Sequence, residues 1–149
     1  KVENITEDYF NKKESSKIKQ NDILVLCAAH SPEQIGKKIS VIEQIENDKG
    51  NTITVGELIT LRIENNDKKY LNFTYQYLKS EYGYLQIQRL IRGITSHLYP
   101  TDLKKIKVPY PSKDLLTKID NISFEINKLR LKRDKIIQNL INDYNEIYS

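Results

Sequence analysis

Residues 90–111 read LIRGITSHLYPTDLKKIKVPYP, with a glycine turn at one end and a proline-punctuated exit at the other. Gly93 follows an Arg/Leu/Ile-rich helical run. It is expected just past the helix end, at the C′ position, where a left-handed backbone costs glycine least. Ile94, Thr95, Ser96 and His97 then make a short polar loop, which Tyr99 and Pro100 extend. Lys104 to Val108 alternates as a strand does, with Ile106 and Val108 on one face and Lys105 and Lys107 on the other. Pro109 and Pro111 end that strand, and Ser112 is placed to cap a helix. The loop thus falls between two helices and beside a basic strand, where it can meet a partner.

Upstream, the pattern is that of a mixed domain. Residues 1–20 are polar, a loop or short helix anchored by Ile5, Tyr9, Phe10 and Ile18. Asn21 and Asp22 signal a turn, and Ile23 to Ala29 is a continuous apolar run of strand length, read as a core strand. After Gly36, Ile39 and Val41 share one face of a second strand. Thr52–Val55 and Glu57–Glu64, pivoting on Gly56, give a third and a fourth, with turns at 47–51 and 65–69. From Tyr70 the spacing becomes helical, placing Leu71, Tyr75, Leu78 and Tyr82 on one face. Gly83 is expected to interrupt this helix. Tyr84–Arg92 resumes it, with Ile87, Leu90 and Ile91 inside and Gln86, Gln88, Arg89 and Arg92 outside.

Downstream, Leu115, Ile119, Ile122, Ile126, Leu129, Ile136, Leu140 and Ile147 follow a 4,3 spacing in which Arg133 takes one slot. That is a heptad seam, and its sign-mixed flanks, Lys118, Asp120, Glu125 and Lys128 among them, read as coiled-coil edges. A straight helix here extends roughly 50 Å at about 1.5 Å per residue and needs a partner helix along its stripe.

The chain has 149 residues, enough for one domain with a real core plus an appendage. No run approaches the roughly 20 apolar residues of a membrane helix, and the start is not that of a signal peptide. A cytoplasmic location is the expectation. The single cysteine, Cys27, allows no internal disulfide. The absence of methionine suggests part of a longer gene product. Net charge is +4, and the stretch from Lys79 to Pro111 carries all of it, six basic residues against two acidic.

Catalytic signals are sparse. The glycines are isolated, so no dinucleotide or phosphate loop is present. Cys27 and His30 stand three apart, but a zinc site takes about four ligands and only His97 adds a nitrogen. Cys27 reads instead as a buried small residue. Asp102 with Lys104, or Asp22 with Glu33, are the pairs a metal-dependent nuclease would use, and such pairs are also ordinary on charged surfaces. His97 beside Ser96 lacks an orienting carboxylate by spacing. For nucleic acid, Arg62, Arg89, Arg92, Lys104, Lys105 and Lys107 supply phosphate charge. Gln86, Gln88, Thr95, Ser96 and His97 are types that read base edges. Seven of the ten tyrosines lie between Tyr70 and Tyr110. The competing reading makes the lysines a solvated strand face and the tyrosines a core.

The motifs also run in a distinctive order: K-x-N-D-I-L from Lys19, I-G-K from Ile35, L-I-T-L-R from Leu58, Y-L-x-x-x-Y-x-Y-L-K-S from Tyr70, and I-Q-R-L-I-R-G-I-T from Ile87. L-x-x-I-x-V-P-x-P follows from Leu103, then the long helix. This series resembles a target-recognition domain of the specificity subunit of Type I restriction-modification systems, or the similar domain of a fused restriction and methylation enzyme. The usual P-x-x-E-Q helix start is replaced by Ser112-Lys113-Asp114-Leu115. The family usually carries two recognition domains and two helices where this chain has one of each.

The resemblance implies an α+β fold: a mixed, sheet-containing DNA target-recognition domain over residues 1–111, lacking its N-terminal part, then a long C-terminal coiled-coil helix over 112–149. It implies sequence-specific recognition of one half-site of a bipartite target on double-stranded DNA, directing methyltransferase and restriction subunits. The chain itself is then not an enzyme and holds no cofactor. S-adenosylmethionine, magnesium and ATP belong to the partner subunits, which flip and methylate the target adenine. The expected DNA-binding residues are Arg89, Arg92, Thr95, Ser96, His97 and Lys104, then Lys37 and Lys38, where Gly36 would let the backbone approach DNA closely. Leu115, Ile119, Ile122, Ile126, Leu129, Ile136 and Leu140 are expected to pair the helix with a second recognition half or a second copy. Two other classes stay open, a coiled-coil scaffold that never touches DNA and a small nuclease.

Overall fold

In a computed structural model, the chain is described over residues 5–45, 52–64, 67–93 and 96–147, the last two of these as backbone. The fold is α+β. A short helix, Glu7–Lys12 (α1), leads into Lys17–Ile18 (β1) and Ile23–Leu26 (β2). Ile39–Val41 (β3), Thr52–Ile53 (β4) and Leu58–Leu61 (β5) follow, then the helices Lys68–Lys79 (α2), Glu81–Gln88 (α3), Pro100–Leu103 (α4) and Lys113–Ile147 (α5). Two compact units result, one up to Tyr110 and one from Pro111 onward.

Strand β2 is central. It pairs antiparallel with β3 and with β5, so the sheet order is β3-β2-β5. Val25 stands opposite Ile39 on one side and Ile59 on the other, and all three are buried. A strand covered on both faces needs an unbroken apolar run, which is what Ile23-Leu24-Val25 supplies. A smaller antiparallel pair joins β1 to β4, Lys17 opposite Ile53. Ile35, Leu71, Leu78, Ile87, Leu98 and Leu103 close over the larger sheet to form one core. The expected turns at 47–51 and 65–69 fall largely outside the described residues.

Asp67 caps α2 by accepting the Lys69 N–H at 2.9 Å. The break between α2 and α3 lies at Ser80, not at Gly83 as the sequence suggested. The Ser80 hydroxyl donates to the Tyr77 carbonyl at 2.6 Å and accepts the Gly83 N–H at 3.3 Å, closing one helix and opening the next. Gly83 is helical and buried because α3 crosses the end of α2 there. A Cβ on it would meet the Tyr77 carbonyl oxygen well inside contact distance and Leu78 Cα at 2.7 Å. Moving the break to Ser80 also shifts the helical phase, so Tyr82 leaves the buried face and is 76% exposed.

The expected strand over Lys104–Val108 does not form. Pro100 sits in the first turn of α4, where its fixed φ favours helix and its missing N–H costs nothing. The chain then turns, with Lys105 N–H on the Asp102 carbonyl at 2.8 Å and Ile106 N–H on the Leu103 carbonyl at 3.1 Å. Lys107 finds a side chain in place of a strand neighbour: the Gln86 amide accepts its N–H at 3.0 Å and donates to its carbonyl at 3.2 Å. Ile106 still packs on the core, while Val108 is exposed.

From Pro111 onward the chain is α5, with Ser112 Oγ accepting the Leu115 N–H at 3.2 Å. Among the described residues no helix is long and apolar enough to cross a membrane.

Candidate nucleic-acid interface

The loop after α3 is a hairpin, not a simple helix exit. Arg92 and His97 exchange both backbone bonds, N–H to carbonyl at 2.9 and 2.8 Å. Gly93, with φ +86°, therefore turns a hairpin several residues beyond the end of α3, correcting the expected helix C′ role. Ser96 also has positive φ, +49°, and donates its N–H to the Gly93 carbonyl at 3.2 Å. Thr95, an expected DNA contact, lies outside the described residues.

The returning side of this hairpin is tied to the sheet. Leu98 N–H donates to the Cys27 carbonyl at 2.9 Å, and His97 bridges Ala28 antiparallel, so the returning side of the hairpin pairs alongside the residues that follow β2. Leu98 is buried beneath it, and the His97 ring lies 6.2 Å from that of Tyr99, roughly parallel to it.

Below the hairpin, α4 holds the Asp102 carboxylate in the interior, 0% exposed. Its Oδ1 accepts from the Arg92 guanidinium and, at 2.6 Å, from the Lys105 ammonium. Oδ2 is also buried and has no hydrogen-bond partner among the described residues. A buried carboxylate persists as an ion only with such partners. The Lys105 hydrogen bond first, and then the Arg92 bond and charge, outweigh the opposing effect of burial and hold the Asp102 pKa below its ordinary value. Both cationic side chains are 61% exposed, so their positions are fixed from below while their surfaces face solvent. Lys104, exposed beside Lys105, completes the group.

Arg92, Ser96, His97 and Lys104 therefore fall on one hairpin and the turn beneath it. Arg89, Lys37 and Lys38 do not belong to that unit. Arg89 is exposed at the end of α3, and the two lysines are exposed on the loop following the 3-10 turn Pro32–Gln34. That loop is bound to α3: Gln88 donates to the Ile35 and Pro32 carbonyls at 2.8 and 3.1 Å, and Tyr84 OH donates to the Glu33 carbonyl at 3.1 Å. The Lys37 ammonium lies 5.7 Å from the Tyr84 ring centroid. Gly36 is buried with φ +77°, and a Cβ on it would stand 2.6 Å from Ile87 Cγ2. Its close approach is to α3, which corrects the expected approach to DNA. Gln86 and Gln88, expected as base readers, spend their amides on this chain's own backbone.

Arg62 is likewise engaged. Its Nε and Nη2 donate to the two oxygens of buried Asp22 at 2.8 and 2.7 Å, and this bond raises the arginine pKa. Asp22 also accepts the Lys19 N–H at 2.6 Å. Two of the three carboxylates nominated for a nuclease, Asp22 and Asp102, thus already neutralise cations. Among the described residues no three of His, Cys, Asp and Glu group to hold a metal ion. Cys27 is buried, which raises its thiol pKa, and its Sγ lies 3.7 Å from the Gly56 carbonyl.

Sequence reasoning missed Asp102 as the anchor and Lys105 as its partner. The i,i+3 spacing of those two was a local signal; nothing local links Asp102 to Arg92. On α5, Leu115, Ile122, Ile126, Leu129, Ile136 and Leu140 are exposed and Ile119 is half-buried. No family model matches the chain, and no curated protein or solved structure matches it either.

Proposed function

We propose that this chain is a DNA-recognition element, reading one half-site of a bipartite target as the specificity component of a Type I restriction-modification system in the cytoplasm. The observation that supports this most directly is the hairpin unit, where Arg92 and Lys105 are held on buried Asp102 beside exposed Lys104, with Ser96 and His97 at the turn. Cations fixed from beneath suit phosphate contacts, which set position, while half-buried Ser96 and His97 on the returning side are of the types that suit base edges. Catalysis, with S-adenosylmethionine, magnesium and ATP, falls to methyltransferase and restriction subunits, and α5 spaces this domain from a second recognition half or a second copy.

The test is a domain exchange. The corresponding domain of an intact specificity subunit is replaced by this one, expressed with its methyltransferase subunit, and adenine methylation is mapped by sequencing. A new methylated half-site is the expected result. Intact assembly without any new motif would remove the DNA reading. A second reading, a coiled-coil scaffold that does not bind DNA, is favoured by the exposed apolar residues of α5, and that same negative result would advance it.

A further inference from the structure

The outward face of the hairpin carries rings as well as charge. Arg92 and His97 stand directly opposite each other and exchange both backbone bonds, so their side chains leave the same face. Tyr99, with extended backbone at φ −97° and ψ 148°, lies two residues beyond His97 and returns to that face, whereas Leu98 between them is buried in the core. The His97 and Tyr99 rings are 25° from parallel with centroids 6.2 Å apart. Tyr99 is 50% exposed, so His97 backs a ring whose other face meets solvent.

The same short stretch holds the cations. The Tyr99 carbonyl accepts the Asp102 N–H at 2.9 Å, which ties the ring's backbone to the residue whose carboxylate fixes Arg92 and Lys105. A Cβ on Gly93 would meet nothing within 4 Å, so the start of the turn is open. Phosphate affinity alone requires none of this aromatic surface. In a paired duplex the base faces are covered by their neighbours in the stack, leaving edges and backbone to a protein. A ring face gains stacking only from a base that has left the stack, and a ring beside fixed cations is the combination that holds such bases.

We infer that the hairpin holds one unpaired nucleotide, its base stacked on the open face of Tyr99 and its phosphate on Arg92 and Lys105. This deepens the DNA-recognition reading and rests on it: the preferred ligand becomes DNA with an unstacked base, in place of a fully paired duplex. Because every base has such a face, the preference should depend little on which base is unpaired.

Fluorescence anisotropy of the full chain tests this with two probes, a short paired duplex and the same duplex carrying one extra, unpaired adenine. The bulged duplex should bind about fivefold to a hundredfold more tightly. Tyr99→Ala should bring it to the affinity of the paired duplex and leave the latter unchanged, while Tyr99→Phe, which keeps the ring, should retain the preference. Tyr99 gives α4 no side-chain hydrogen bond, so neither change removes a cap from the fold. Equal affinity of the unmodified chain for the two probes would overturn the unpaired-nucleotide site while leaving the DNA reading intact. A preference that survives Tyr99→Ala would assign it to the pliancy of bulged DNA and would likewise overturn the site. Failure to bind either probe would instead sink the DNA reading itself, and this inference with it.

Discussion

Replacing Gly36 by alanine tests whether this glycine serves the core or a ligand. Two costs can be separated. The backbone at φ +77° lies in the left-handed region, where a Cβ costs roughly 1–2 kcal/mol. The Cβ would also stand 2.6 Å from Cγ2 and 3.0 Å from Cδ1 of Ile87, which is fully buried and cannot swing aside. Overpacking of this kind costs roughly 1–3 kcal/mol. Together about 2–5 kcal/mol is at stake, a large share of the roughly 5–15 kcal/mol of a typical domain. Urea unfolding followed by far-ultraviolet circular dichroism should show the midpoint falling accordingly. A double-mutant cycle with Ile87→Ala isolates the steric part. Ile87→Ala alone should cost about 2–5 kcal/mol, but with the clash gone Gly36→Ala should then cost only its backbone share. Strict additivity, or an unchanged midpoint for Gly36→Ala, would refute the packing argument and return Gly36 to the surface role the sequence suggested.

Four further outcomes are expected. Arg92→Ala should weaken DNA binding and reduce its salt dependence by about one counterion, measured by fluorescence anisotropy across salt; an unchanged slope would take Arg92 off the phosphate. Because its pairing lowers the Asp102 pKa in the folded state, this group stabilises the fold above its unfolded pKa, about 3.9. That stabilisation is lost as pH falls through the lower folded value. An Asp102→Asn variant should be less stable at neutral pH and lose less stability on acidification, as thermal melts between pH 2 and 7 would show. Gln86→Ala strips both partners from the Lys107 backbone and should cost about 1–2 kcal/mol by urea unfolding. Leu129→Glu, at a seam position 63% exposed within the chain, should abolish helix association in sedimentation while leaving the circular dichroism of the first unit's sheet and helices in place.

Local pattern made much of this fold legible. The run Ile23-Leu24-Val25 is apolar at every position and is buried at every position, and the heptad over α5 marks a single helix of the observed length. What escaped was decided by distant residues. Alternation over Lys104–Val108 is a strand signal, but Pro100 starts a helix just upstream and Gln86, 21 residues away, takes up the backbone of Lys107. Gly83 reads as a breaker, yet the serine three residues earlier does the breaking, since its hydroxyl serves both helix ends. At the candidate site the loop and its cations were visible as composition. The long-range ion pairs were not, and Arg62 finds Asp22 across 40 positions. Helical phase places Gln88 outside, where it could meet bases; only the packing of the 32–36 loop against α3 reveals its two carbonyl partners.

The anchoring of Arg92 has a consequence for the entropy of any encounter at the hairpin. A free arginine side chain carries roughly 2 kcal/mol of rotamer freedom, which a ligand ordinarily has to freeze. Here the guanidinium already rests on a carboxylate that cannot follow it outward, because Asp102 is interior and its helix lies beneath the hairpin. Much of that freedom has been surrendered during folding, before any partner arrives. An anion meeting this surface therefore finds a donor whose direction is set in advance, and a change that merely frees Arg92, leaving its charge intact, should weaken the encounter as surely as deleting it.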